Sequence, residues 1–84
     1  MKNKYILESL ASDLKRVALG LHRGSNVMAE RFLIEALKRK KEVEIENVAP
    51  YIKNILIQIN KDIDSDKALM YSTLIQNYTQ YKKF

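Results

Sequence analysis

Three aspartates at alternate positions, Asp62, Asp64 and Asp66, are the first residues whose type and spacing could bind a ligand. The D-x-D-x-D pattern opens calcium-binding loops, which also need a glycine at the sixth position for the turn and a bidentate glutamate at the twelfth. Those two positions hold Lys67 and Thr73. We therefore interpret the aspartates as turn and helix-capping residues, and we expect neither a metal nor a cofactor.

A second pair with chemical potential is Arg16 and His22, which are six residues apart. This R-x5-H spacing resembles the short motif of the HEPN domains, a family of helical ribonucleases in which Arg and His act at a phosphodiester. The resemblance covers seven residues, and the position after the arginine, often polar in that family, is Val17 here. It implies a small helical ribonuclease as the less favoured alternative. The simpler interpretation is that His22 ends a helix, where a cation suits the helix dipole.

A third feature is a run of four consecutive basic residues, Lys38, Arg39, Lys40 and Lys41. Residues 1–41 carry ten Lys or Arg against four acids, whereas residues 42–84 carry five against six. A basic half can bind phosphates. On a helix, however, the first three side chains of the run project in different directions, and three glutamates follow within five residues. A nucleic-acid-binding regulator that uses the basic N-terminal half is therefore the main alternative function, but not the favoured one.

The second half of the chain carries four tyrosines: Tyr51, Tyr71, Tyr78 and Tyr81. A row of aromatic rings could form a stacking platform for a base or a small ligand. More often such a row packs into a core or an interface, with the hydroxyl groups at its edge. We favour packing. Because no arrangement of Ser, His and acid is supported by spacing either, we expect the protein not to be an enzyme.

These side chains need helices to position them, and the hydrophobic periodicity predicts four, over residues 3–22, 25–41, 47–63 and 65–81. The first has apolar residues at alternating spacings of three and four: Leu7, Leu10, Leu14, Val17 and Leu21. Gly24 can take a positive φ after this helix. Asn47 is the expected N-cap of the third helix, because Pro50 is tolerated only in a first turn. Asp64 and Ser65 are expected to cap the fourth helix.

The helix over residues 25–41 is predicted to be the most buried element. Its apolar side chains cover more than half of its circumference: Val27, Met28, Ala29, Phe32, Leu33, Ile34, Ala36 and Leu37. A helix that is apolar on most sides contacts neighbours on two or more of them, so it would lie centrally. Phe32 is its largest core candidate, and replacing it with alanine would be expected to bring so small a domain close to unfolding.

Length and composition limit the fold class. A chain of 84 residues forms one small domain over its whole length, and without cysteine it has no disulfide framework. Residues 42–46 alternate like a strand, but they have no partner strand elsewhere in the sequence. Short connections favour antiparallel neighbours. We therefore expect an all-α fold, a compact four-helix array that is mostly antiparallel. No window approaches the roughly 18 apolar residues of a membrane span, so we expect a cytoplasmic protein that does not enter membranes.

The prediction of function depends on surplus apolar surface. On the last helix, one shared face holds Met70, Tyr71, Leu74, Tyr78 and Tyr81. When the main apolar face of each helix points inward, five aliphatic residues remain: Leu19, Ile34, Ile57, Leu69 and Ile75. So many on so small a domain suggest a second contact surface. We therefore expect a non-catalytic protein-interaction module that self-associates as a homodimer and could also bind another protein. The expected interface residues are Ile57, Ile75, Tyr78 and Tyr81.

Overall fold

Helix α1, Lys2–His22, is the longest element of the fold, which a computed structural model describes over residues 2–82. Leu7, Leu10 and Leu14 have no exposed surface, because their spacing places them on one face of the helix. Gly24 follows the helix with a φ of 75°. The prediction of a positive φ there is confirmed, and only glycine adopts it without a steric penalty from a Cβ atom.

Helix α2, Asn26–Glu42, is not the most buried element, so that prediction is wrong. Its only fully buried residues are Ala29 and Ala36, whereas Phe32 and Leu33 are half-buried. The central helix is α1, which packs against both α2 and α4. The reason is that α2 contacts α1 along one side only, so part of its wide apolar circumference faces solvent.

Small residues let α1 and α2 approach closely near the turn that joins them. A Cβ atom placed on Gly20 would lie 2.8 Å from the backbone nitrogen of Ala29. Farther from the turn, Arg39 on α2 forms an ion pair with Asp13 on α1, with 2.9 Å between Nε and Oδ2. At the far end, the Asn3 side chain forms two hydrogen bonds with the backbone of Glu44, of 2.8 and 3.0 Å. These contacts fix α1 and α2 as an antiparallel pair.

Helix α3, Pro50–Gln58, is shorter than predicted. Its N-cap is Ala49, and Asn47 lies instead in a short 3-10 helix, Ile45–Asn47. The predicted end at residue 63 is also wrong. Ile59 has an extended backbone and Ile63 lies in the following turn, yet both are buried. Their burial explains why the sequence has a helical period beyond the end of α3. The irregular segment directs the side chains of Ile59 and Ile63 towards the core, as a longer helix would have done.

Helix α4, Ser65–Tyr81, begins after Asp64, whose side chain accepts a hydrogen bond of 2.8 Å from the backbone N–H of Lys67. The prediction that Asp64 caps this helix is confirmed. The cap satisfies one of the donors that a helix leaves unpaired at its N-terminus.

The helices form an array with α1 between α2 and α4, antiparallel to both. Helix α3 runs antiparallel to α4 and contributes its buried isoleucines to the same core. Of the described residues, 83% are helical, and none of residues 2–82 lies in a strand. The all-α, four-helix, mostly antiparallel prediction is confirmed. Within residues 2–82, no helix has the length and apolar character needed to cross a membrane.

Candidate interaction surface

Helix α4 faces the core with a different side from the one predicted. Six of its residues are buried: Ala68, Tyr71, Ser72, Ile75, Tyr78 and Thr79. The prediction placed Met70 and Leu74 inward, but 49% of Met70 and 38% of Leu74 is exposed. At 100° per residue, the observed inward face is rotated by about 90° from the predicted one.

Close packing against α1 explains this rotation. The Ser72 hydroxyl donates a hydrogen bond of 2.6 Å to the carbonyl oxygen of Ala11, and Ala68 is completely buried. Small residues at a helix contact allow two backbones to approach closely, whereas Met70 and Leu74 on that side would hold them apart. Met70 and Leu74 are therefore left on the outside of α4.

The rotation divides the four expected interface residues into two pairs. Ile75 is completely buried and Tyr78 is 7% exposed, so their assignment to a free surface is wrong. Both side chains belong to the core of a single chain. By contrast, Ile57 is 72% exposed and Tyr81 is 83% exposed, so both are available to a partner.

The buried tyrosines join α3 to α4. The Tyr78 hydroxyl oxygen accepts a hydrogen bond of 3.1 Å from the Ala49 N–H, and the Tyr78 ring meets Tyr51 edge-on with 5.8 Å between ring centroids. At the other end of α3, the Tyr71 hydroxyl donates to the Gln58 side chain. Since Tyr71 and Tyr78 are used in this way, the four tyrosines do not form one flat stacking platform.

Five of the six large exposed apolar side chains of α3 and α4 define what we call the α3–α4 surface: Tyr51, Ile57, Met70, Leu74 and Tyr81. The sixth, Leu69, lies instead in a groove beside Leu19 and His22 of α1. The two helices are adjacent at both ends, through Tyr51 and Tyr78 at one end and through Gln58 and Tyr71 at the other. Ile57 shares a depression with Lys67 and Tyr71, which places it beside the first turns of α4. These contacts place both Tyr51 and Ile57 beside α4.

The outer side of α4 has two further properties. Residues 68–81 contain no Asp, Glu, Lys or Arg, although 30% of the chain is charged. Four exposed positions also follow spacings of four, three and four residues: Met70, Leu74, Asn77 and Tyr81. We call these four residues the α4 stripe. This spacing is the one that faces a second helix in coiled-coil packing.

The basic run is not a free phosphate-binding patch. Arg39 is paired with Asp13, and Lys40 donates a hydrogen bond of 2.7 Å to the Ile59 carbonyl oxygen at the end of α3. Lys38 lies 3.9 Å from Glu35 in an exposed ion pair, and Lys41 is exposed. Two of the four side chains therefore hold the fold together. Binding of nucleic acid by the basic half stays a prediction.

The pKa of the Asp13 carboxyl clearly departs from its ordinary value. Burial raises the pKa of this carboxyl, and the Arg39 guanidinium partly offsets the increase. Glu35 also raises the pKa, whereas Arg16 lowers it. Because Asp13 lies between α1 and α2 and its strongest partner is Arg39, we assign it to the packing of those helices and not to acid–base chemistry.

Arg16 and His22 point to different sides of α1. The Arg16 guanidinium lies 5.3 Å from the centroid of the Phe32 ring on α2, and it donates to the Ser12 hydroxyl. His22 instead lines a groove of about 290 Å³ towards the start of α4, beside Asp66. Six residues turn a helix through 600°, so the two side chains diverge by about 120°. The two side chains thus lie towards different helices, and the ribonuclease alternative stays a prediction.

Asp62 and Asp64 lie in the turn before α4, and Asp66 lies in the first turn of the helix. Asp64 caps the helix, and the backbone N–H of Asp62 donates a hydrogen bond of 2.8 Å to the Asn60 side chain. Within the part of the chain that the structure describes, no three His, Cys, Asp or Glu side chains are placed to hold a metal ion.

Comparison of the chain with protein-family models, curated proteins and solved structures finds no match. The candidate site therefore depends on the geometry of this molecule. Sequence reasoning missed Met70, Leu74 and Asn77 as surface residues, because it assigned the largest apolar side chains of α4 to the core. The uncharged stretch over residues 68–81 is the signal in the sequence that could have identified them.

Proposed function

We propose that the protein is a non-catalytic interaction module that binds a protein partner through the α3–α4 surface and self-associates. The observation that carries this proposal is that α4 has exposed Met, Leu and Tyr side chains within residues 68–81, a stretch that contains no charged side chain. Charged residues are depleted at the centres of protein interfaces, where Tyr, Met and other large side chains are enriched.

The character of the exposed polar residues also supports the proposal. Between the apolar side chains, α4 exposes Thr73, Gln76, Asn77 and Gln80. Such neutral groups can be covered by a partner at a much smaller desolvation cost than lysine or glutamate side chains. An exposed helix that has only to stay in water normally carries charges on its outer face.

The test compares lysine substitutions on two exposed faces. Met70→Lys introduces a charge into the α3–α4 surface, and we expect the dissociation constant of the self-associated protein to rise at least tenfold. That factor corresponds to about 1.4 kcal/mol. Light scattering over a concentration series measures this change. Because half of Met70 is already exposed, the variant should keep its helical circular dichroism spectrum.

Ile34→Lys is the matched control. Ile34 is an aliphatic residue of α2 that is 55% exposed, compared with 49% for Met70. We expect the control to associate like the wild type. Association that survives Met70→Lys but is lost in Ile34→Lys would contradict the proposal and would move the interface to α2.

A further inference from the structure

We infer that the partner on the α3–α4 surface is a second copy of this chain, whose α4 packs antiparallel against the first across a two-fold axis. This inference rests on the proposed function and adds to it the identity and direction of the partner. The two α4 stripes would form the central contact, with α3 of each copy alongside.

The stripe fixes the register of such a pair. In antiparallel two-helix packing, each of the two alternating seam positions faces the other kind on the partner helix. Applied to the α4 stripe, this rule places Met70 opposite Tyr81 of the second copy and Leu74 opposite Asn77. The thioether of Met70 would then lie against an aromatic ring, which is a favourable contact. The two-fold axis would pass between residues 75 and 76.

Charge complementarity favours the antiparallel direction. Asp64, Asp66 and Lys67 lie at the N-terminal end of α4 and give it one net negative charge, whereas Lys82 follows its C-terminal end. An antiparallel pair brings the aspartates of one copy towards the lysine of the other. A parallel pair would bring like charges together at both ends and would align the two helix dipoles in the unfavourable direction.

The available surface is large enough for this arrangement. A stable interface buries about 800 Å² on each partner, which is about a seventh of the 5594 Å² surface of this chain. Helix α4 has 17 residues, so it is about 25 Å long. The adjacent α3 adds the exposed side chains of Tyr51 and Ile57 to this face.

Disulfide trapping tests the arrangement, because the chain contains no cysteine of its own. Full-length Met70→Cys and Tyr81→Cys proteins are mixed and oxidised mildly, and the products are identified by mass. A disulfide needs Cα atoms within about 4.4–6.8 Å. Residues 70 and 81 of one helix are about 16 Å apart, and each variant carries a single cysteine, so every disulfide in this mixture joins two chains.

We expect the mixed disulfide between positions 70 and 81 to form at least tenfold faster than either symmetric disulfide. Ile34→Cys, mixed with each variant in turn, is the control and should form disulfides only at the slow rate of random collision. A majority of symmetric 70–70 or 81–81 products would overturn the antiparallel inference while leaving the proposed function intact. Absence of any fast disulfide would also overturn the inference. The proposed function is judged separately, by the Met70→Lys comparison.

Discussion

Helices α1 and α2 differ from helices α3 and α4 in how many charged side chains they carry. Helices α1 and α2 carry Asp, Glu, Lys or Arg along their whole length, whereas in α3 and α4 only Lys53, Asp66 and Lys67 are charged. Both halves contribute to one core, so the difference does not arise from burial within the chain. The two halves differ in the side chains that are exposed on the surface of a single copy.

This comparison separates two uses of polar residues. The first half uses specific polar contacts to hold helices together, such as Arg39 with Asp13 and the Asn3 side chain with the Glu44 backbone. The second half presents neutral polar and apolar groups outward and carries few charges there. A surface with few charges can be buried against a protein partner, which is why we place the interaction surface on α3 and α4.

The largest expected effect is on the free energy of unfolding, and it distinguishes the central helix α1 from the half-buried helix α2. Leu14→Ala removes a completely buried side chain from the centre of α1, and we expect the free energy of unfolding to fall by about 3–5 kcal/mol. Phe32→Ala on half-buried α2 should cost less than Leu14→Ala, contrary to the expectation from sequence. Urea denaturation of both variants measures the difference. A greater loss for Phe32→Ala would restore α2 as the central helix.

Gly20→Ala tests the close approach of α1 and α2. In an open helix position this change would stabilise by about 1 kcal/mol. Here the new Cβ would meet the Ala29 backbone nitrogen at 2.8 Å. We expect a net loss of about 1–3 kcal/mol, measured by thermal denaturation. Thr73→Ala, on the exposed side of α4, is the control and should change stability by less than about 0.5 kcal/mol. An increase in stability for Gly20→Ala would show that the helices are farther apart.

Asp13 gives the first half a pH-dependent contribution to stability. Since burial raises its pKa above 3.8, the folded chain binds this proton more tightly than the unfolded chain. The contribution of Asp13 to stability therefore falls as pH rises from about 3.8 through its folded pKa. Asp13→Asn should remove this component. Denaturation of both proteins across the acidic range measures it, and a difference that grows in the opposite direction would contradict the assigned shift.

Lys82→Glu, at the end of α4, should produce the smallest of these effects, and the quantity that it changes is the dissociation constant of the self-associated protein. Lys82 is exposed at the end of α4, where its Nζ lies 5.7 Å from the centroid of the Tyr78 ring of its own chain. The antiparallel arrangement brings the net negative N-terminal end of the second copy's α4 near it. Exposed ion pairs contribute only about 0.2–1 kcal/mol, so we expect the dissociation constant to rise about two- to fivefold at low salt. The change should shrink as salt is added. Tighter association of Lys82→Glu would argue against this pairing of helix ends.

The fold was predictable where one face of a helix carries all of its large apolar residues. Leu7, Leu10 and Leu14 behave in this way, and α1 is where the pattern predicted it. The end of α3 was not predictable, because Ile59 and Ile63 keep a helical period although the chain has left the helix. Periodicity reports which side chains are buried, and an extended segment can bury the same ones.

The candidate site was only partly predictable. Ile57 was identified from surplus apolar surface and Tyr81 from its place near the end of the last helix, and both are exposed. The placement of Ile75 failed because the close contact with α1 at Ala68 and Ser72 sets the inward face of α4, and Ile75 lies on that same face. The inward face depends on how closely two helices approach each other, which no single-helix pattern contains.

The molar mass of the wild-type protein in solution tests the central claim most directly. Light scattering at tens of micromolar should give twice the 9.8 kDa mass of one chain, and the mass should fall on dilution as the α3–α4 surface is exposed again. A mass of 9.8 kDa throughout this range would contradict self-association through that surface.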